Sequence, residues 1–289
     1  MIGEKLQIEK LAAVEAARLF QRDRKTYLGM IAGLYGCSLL HGVKSDDARL
    51  ARATYFFARH IDDALDGEHV HYTNRTASPT ELPLDITKLK SSSHPIVPLG
   101  NFAIKGLLHR QQDGDSPMSD LQRLVDSMVF DYQRSRTGTV FKDNNELESY
   151  FSHAMRASNI MLIGFRSQLR EDTDFPTLAN GLGRVYSARD LTEDWTRDVI
   201  NIPQGPLDNI REDLSTISDW PTHKQLTESS LFCEWQTGQL DLARNELNTA
   251  HETAADYSHN DTGARVIALL TKRAMSYIPQ IEGSLTMLP

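Results

Sequence analysis

SDDARLARATYFFARHIDDALD, residues 45–66, reads as one amphipathic helix. Leu50, Ala53, Phe56, Phe57 and Ile61 recur at helical spacing and form one apolar stripe. Ser45-Asp46-Asp47 supplies N-cap chemistry at its start. Outward from this stretch the same period dominates. Leu6, Leu11, Val14 and Ala17 begin a stripe that runs through Phe20, and Tyr27 to Leu40 is apolar nearly all round, as in a helix buried in a bundle. Residues 67–94 are polar, with Pro79, Pro83 and Ser91-Ser92-Ser93, and predict a long surface loop. Ser116-Pro117 predicts a helix start, running to about Arg136. Further helices are predicted over about 145–169, 176–196, 222–256 and 262–281, with Asp174-Phe175-Pro176 and Asp219-Trp220-Pro221 marking two starts. There is no β-alternation, internal repeat or low-complexity tract. The expected fold is all-α, a single domain over residues 1–289.

Composition narrows the function classes. A net charge of −8 argues against a nucleic-acid partner held through phosphates and against a polybasic grip on anionic lipid. Cys37 and Cys233 lie far apart with no CxxC pair, so neither a disulfide scaffold nor a zinc site is expected, and the cytoplasm is the expected compartment. The opening MIGEKLQIEK alternates charged and apolar residues, unlike a signal peptide. No stretch approaches the roughly 18–20 apolar residues that cross a bilayer. A lipid-precursor substrate would therefore be met by a soluble or peripheral enzyme. No feature of the sequence sets an oligomeric state.

Two rows of carboxylates carry the chemistry. Asp62 and Asp66 sit one helical turn apart with Asp63 beside them, after Arg59. Asp190, Asp194 and Asp198 recur every four residues, flanked by Arg189 and Arg197. Like charges at that spacing destabilise an isolated helix by a few tenths of a kcal/mol, which a divalent cation would offset. One acidic pair is usually a solvated helix face. Two rows, each beside arginine and within otherwise apolar helix, point instead to several Mg2+ ions, with the arginines on diphosphate oxygens. The rows are expected to face each other across an apolar cavity.

At these residues the sequence resembles the squalene/phytoene synthase family. The first family signature corresponds to Phe56-Phe57-Ala58-Arg59-His60-Ile61-Asp62-Asp63-Ala64-Leu65-Asp66, and the second to Arg189-Asp190 through Asp194, then Arg197 and Ile202-Pro203. Weaker echoes are Arg24-Lys25-Thr26-Tyr27, Asp131 and Glu148-Ser149-Tyr150. The resemblance implies an isoprenoid-synthase-like helical bundle around a central apolar cavity. It implies Mg2+ on Asp62, Asp66, Asp190 and Asp194, with Asp63 in support, and diphosphate contacts from Arg59, Arg189, Arg197 and Lys25. Tyr150 matches a tyrosine near the reacting carbons, and Tyr186 is a candidate cavity wall or a packing residue. The implied activity is prenyl transfer: head-to-head joining of two C15 or C20 diphosphates through a cyclopropyl intermediate.

The chain departs from the family at named places. Arg156 and Asn159 stand where glycines are expected, Gly183 and Tyr186 where Gln and Asn are expected, and Asp198-Val199-Ile200-Asn201-Ile202-Pro203 where the family has Gly-Arg-x-Tyr-Leu-Pro. Two alternatives therefore stay open: a terpene synthase that cyclises or quenches one prenyl diphosphate, and a non-catalytic homologue. Arg156 could meet a diphosphate, pair with a cluster aspartate, or form a structural ion pair. His69 and His71 read as surface residues, lacking a third ligand nearby. No phosphate loop or dinucleotide fingerprint is present, so nothing in the sequence supports NADPH.

Overall fold

The structure, a computed structural model, describes residues 2–36, 44–67, 71–72, 75–76, 82–214 and 223–286. His69 and the Asp219-Trp220-Pro221 start lie outside the described residues. Apart from a two-residue antiparallel hairpin, β1 (His71–Tyr72) with β2 (Arg75–Thr76), the described elements are helices, and the fold is all-α. The chain gathers into two compact units, residues 1–129 with 159–168, and residues 130–158 with 169–289.

In the first unit α1 (Ile2–Arg22), α2 (Arg24–Gly36) and α4 (Val97–Leu108) pack on α3 (Ser45–Leu65). The predicted stripe is the buried one: Leu50, Ala53, Phe56, Phe57 and Ile61 are all at most 1% exposed. Ser45 is the first residue of α3 rather than its cap; Lys44 holds the cap position without a side-chain bond, and Asp46 and Asp47 lie in the first turn. Carboxylates there favour the helix dipole. Helix α4 comes close because it carries glycines at the contact. A Cβ on Gly100 would lie 2.6 Å from Phe57 and Leu89, and one on Gly106 2.6 Å from Leu50. The expected 67–94 loop is more ordered at its end than its polarity suggests: Ile86–Ser91 is a 3-10 helix that buries Ile86 and Leu89.

In the second unit α9 (Leu178–Thr196) packs against α6 (Asn144–Ala154), α12 (Ser230–Tyr257) and α13 (Thr262–Met275). Leu191, Trp195, Ile200, Ile202, Leu207, Ile210, Leu226 and Phe232 form one core cluster. The short α8 (Glu171–Asp174) precedes α9, while α10 (Gln204–Asp213), α11 (His223–Glu228) and α14 (Ile278–Thr286) complete the described helices of this unit. Asp143 caps α6 by accepting from Glu146 N at 3.0 Å, and the Glu146 carboxylate accepts from Lys142 N, the residue before the cap, at 2.6 Å.

Helix α5 (Pro117–Thr137) gives its residues up to Val129 to the first unit and the rest to the second. It starts at the predicted Pro117. The helix expected over 145–169 is two, α6 and α7 (Ala157–Gly164), because Met155 closes α6 and the Ser158 hydroxyl donates to its carbonyl at 2.7 Å. The helix expected over 222–256 breaks at Ser229, whose hydroxyl accepts from Phe232 N and starts α12. Among the described residues no helix is long and apolar enough to cross a membrane.

Candidate functional site

The last turn of α3 separates its three aspartates. Asp63 points inward and is fully buried, while the Asp62 side chain is 30% exposed and Asp66, the C-cap residue, is exposed. Three guanidiniums converge on Asp63: Arg18 Nη2 at 2.6 Å, Arg22 Nη1 at 2.9 Å and Arg59 Nη2 at 2.7 Å. Asp63, read from the sequence as support for the metal ligands, anchors an ion-pair network in which both its oxygens lie against arginine. Arg59 spends its other nitrogen, Nη1, on Asp62 Oδ2 at 2.6 Å and lies 5.6 Å above the Tyr27 ring. So Asp63 steadies Arg59, and Arg59 steadies Asp62. Arg18 also donates to buried Glu15 at 3.0 Å, and Glu15 meets His60 Nδ1 at 3.3 Å. The sequence reading missed Arg18 and Arg22, although Glu15, Arg18 and Arg22 share one face of α1. The backbone of Lys25 lies in α2; its side chain lies outside the described residues.

The second row sits on the last turns of α9. Asp190 is clasped by its neighbour Arg189, Nε to Oδ1 at 2.6 Å and Nη2 to Oδ2 at 2.5 Å. Arg189 in turn covers Tyr186, at 4.6 Å from the ring centroid, and Tyr277 at 5.1 Å. Tyr186 meets Tyr277 edge-on, and burial pushes its hydroxyl pKa up. One turn on, Asp194 accepts from Asn201 Nδ2 at 3.2 Å. Burial first, then the charges of Asp190, Asp131 and Glu193, push the Asp194 carboxyl up to about 8. The row ends there: α9 stops at Thr196, and Asp198 has φ +58° beyond the helix, so it does not continue the face predicted for it. Arg197 pairs with Glu193 at 2.8 Å.

Tyr150 belongs to this second site. Its hydroxyl donates to Asp131 Oδ2 at 2.5 Å, and burial followed by the Asp131 charge pushes its pKa well up. The ring packs among Phe130, Phe141 and Phe151 at centroid distances of 5.2–6.0 Å. Behind it, Gly183 makes room for Phe151: a Cβ there would lie 2.2 Å from the Phe151 ring. The adjacent cavity, lined by Leu147, Phe151, Ala188, Leu191 and Trp235, is only ≈ 10 Å³. That is space for about one water. The remaining departures also have partners. Arg156 pairs with Asp172 at 2.7 Å, the structural alternative weighed for it, and Asn159 Nδ2 donates to Asp120 at 2.6 Å.

Among the described residues no group of three or more His, Cys, Asp or Glu side chains stands ready around one point for a metal ion. The donor chemistry nonetheless suits a hard cation. Carboxylate oxygens are the ligands Mg2+ prefers, and a half-buried acid raised first by burial and then by neighbouring acids is in the state that a divalent charge would reverse. Arg189 would have to release Asp190 for that. No family model matches the chain, and no curated protein matches it.

Proposed function

We propose that the protein is a Mg2+-dependent prenyltransferase that ionises allylic isoprenoid diphosphates and joins two of them head to head, giving a squalene- or phytoene-type product or its cyclopropyl intermediate. The observation that carries this is the pair Asp190 and Asp194, one turn apart on α9, the first clasped by Arg189 and the second half-buried with, among the described residues, only an asparagine amide donating to it at 3.2 Å. Such a carboxyl is poorly placed as a surface charge and well placed as a ligand awaiting a cation. Asp62, Asp66, Asp190 and Asp194 would hold the metal, and bound Mg2+ supplies the charge that neutralises the departing diphosphate. Arg59 and Arg189 exchange carboxylate for diphosphate oxygens, a like-for-like swap for a guanidinium fork. Arg197 and Lys25 would each contribute positive charge toward diphosphate. Tyr150, its hydroxyl aimed by Asp131, presents its ring to the developing cation, and Tyr186 shields the other side from water. A central apolar cavity would house the prenyl tails, and the enzyme would work in the cytoplasm as a soluble or peripheral protein.

One observation favours a second outcome. Phe151 fills the space beside Gly183, which leaves less room there for a second prenyl chain and fits a single prenyl diphosphate that is cyclised or quenched. Incubation of purified protein with Mg2+ and C10, C15 or C20 diphosphates, read by mass spectrometry, separates these. A dimeric hydrocarbon supports head-to-head joining, a monomeric terpene or alcohol supports the second outcome, and no diphosphate release at any chain length rejects both. Asp62→Ala and Asp190→Ala should each abolish turnover in a folded protein. If the two carboxylates serve one diphosphate, the double variant loses no more than either single one.

A further inference from the structure

Among the described residues, Arg134 is the largest side chain buried to within 2%. A guanidinium in an apolar surrounding is tolerated only if its donors are used. Here they are. Nε donates to the Thr139 carbonyl at 3.2 Å, Nη1 to Asp131 Oδ1 and Asn201 Oδ1 at 3.1 Å each, and Nη2 to the Ile200 carbonyl. The rings of Phe141, Phe130 and Tyr150 enclose it at 4.1, 5.4 and 5.7 Å.

Each side-chain bond continues one step further. The second oxygen of Asp131 accepts from the Tyr150 hydroxyl. The amide of Asn201 has its orientation dictated: arginine can only donate, so the Asn201 oxygen faces Arg134 and its NH2 is turned to Asp194 Oδ2. Asn201 stands where the resembled family has a tyrosine. Resting on the ionisation chemistry proposed above, we infer that Arg134 is a positioning residue, acting through Asp131 on the Tyr150 hydroxyl and through Asn201 on the Asp194 carboxylate. Neither Arg134 nor Asn201 need touch substrate. They fix the two groups that would, in one rigid frame.

Asn201→Ala removes one arm, and Arg134→Lys keeps the charge but loses the fork. Mn2+ affinity, measured by electron paramagnetic resonance with inorganic pyrophosphate present, reads the Asp194 arm without turnover. Asn201→Ala should weaken Mn2+ about tenfold, the usual consequence of losing an outer-shell partner, in a protein that still folds but melts somewhat lower because buried Arg134 loses one acceptor. Arg134→Lys should show the same loss of affinity and a further fall in kcat, and that further fall should vanish in a Tyr150→Phe background. Wild-type Mn2+ affinity in Asn201→Ala would overturn the positioning role and leave the proposed reaction standing. A wild-type protein that binds no Mn2+ with pyrophosphate would overturn the reaction and the role together. Should Arg134→Lys fail to fold, Asn201→Ala alone decides the Asp194 arm.

Discussion

Asp63→Asn should unsettle the fold far more than Asp62→Asn, although the two residues are neighbours in one acidic motif. The Asp63 side chain is 0% exposed and meets three guanidiniums at 2.6–2.9 Å, whereas Asp62 is 30% exposed. Neutralising Asp63 leaves those cations around an amide, whose oxygen can still accept from one of them. Removing one partner of a buried ion pair typically costs about 3–5 kcal/mol. The three arginine side chains are 20–28% exposed, so water screens part of the loss, and we expect about 3 kcal/mol. For a chain of this size that lowers the melting temperature by roughly 6–12 °C. Asp62→Asn should cost less than about 1 kcal/mol, as for other partly exposed pairs. Thermal melts of metal-free protein followed by circular dichroism separate the two. Equal melting of the variants, or Asp63→Asn within about 2 °C of wild type, would refute the anchoring role of Asp63.

In the second unit, Gly183→Ala should cost about 3 kcal/mol by pressing a methyl into the Phe151 ring, and Phe151→Leu in the same chain should return part of it; paired thermal melts test this. Metal-free protein should lose stability as pH rises from about 4 to about 8. Over that window folded Asp194, raised to about 8, holds a proton that the unfolded chain, near 3.9, has released. Urea midpoints across pH should show that decline flattened in Asp194→Asn, and unchanged slopes would exclude Asp194 as its source. Mg2+ with inorganic pyrophosphate should raise the wild-type melting temperature at pH 7 and leave that of Asp190→Ala where it was.

Helical periodicity was enough to find the buried stripe of α3, because one face of a helix must turn inward and its residues recur on schedule. It missed α4, whose Val97-Pro98 opening follows a polar stretch, and it joined α6 to α7, since no Gly or Pro marks the break at Met155. The aspartates were visible as a pattern, but their roles depended on distant partners. Asp62 and Asp63 are told apart by arginines some forty residues upstream, and Asp194 is oriented through an Asn201–Arg134 bond that spans 67 residues. Local spacing does not encode such pairings.

The departures from the resembled family then become informative in pairs. Gly183 accommodates Phe151, Arg156 meets Asp172, Asn159 meets Asp120, and Asn201 links Arg134 to Asp194. An unmatched buried polar group costs about 1–3 kcal/mol of stability, so a substitution that buries one calls for a partner. Here each substituted side chain has a specific counterpart, in keeping with a sequence whose local choices agree with one another. Stranding the buried member of a pair should therefore be worse than removing both: the Arg156 side chain is 9% exposed and that of Asp172 68%, so Arg156→Ala with Asp172→Ala should melt closer to wild type than additive single losses predict, and additivity in that cycle would reduce the pairing to coincidence.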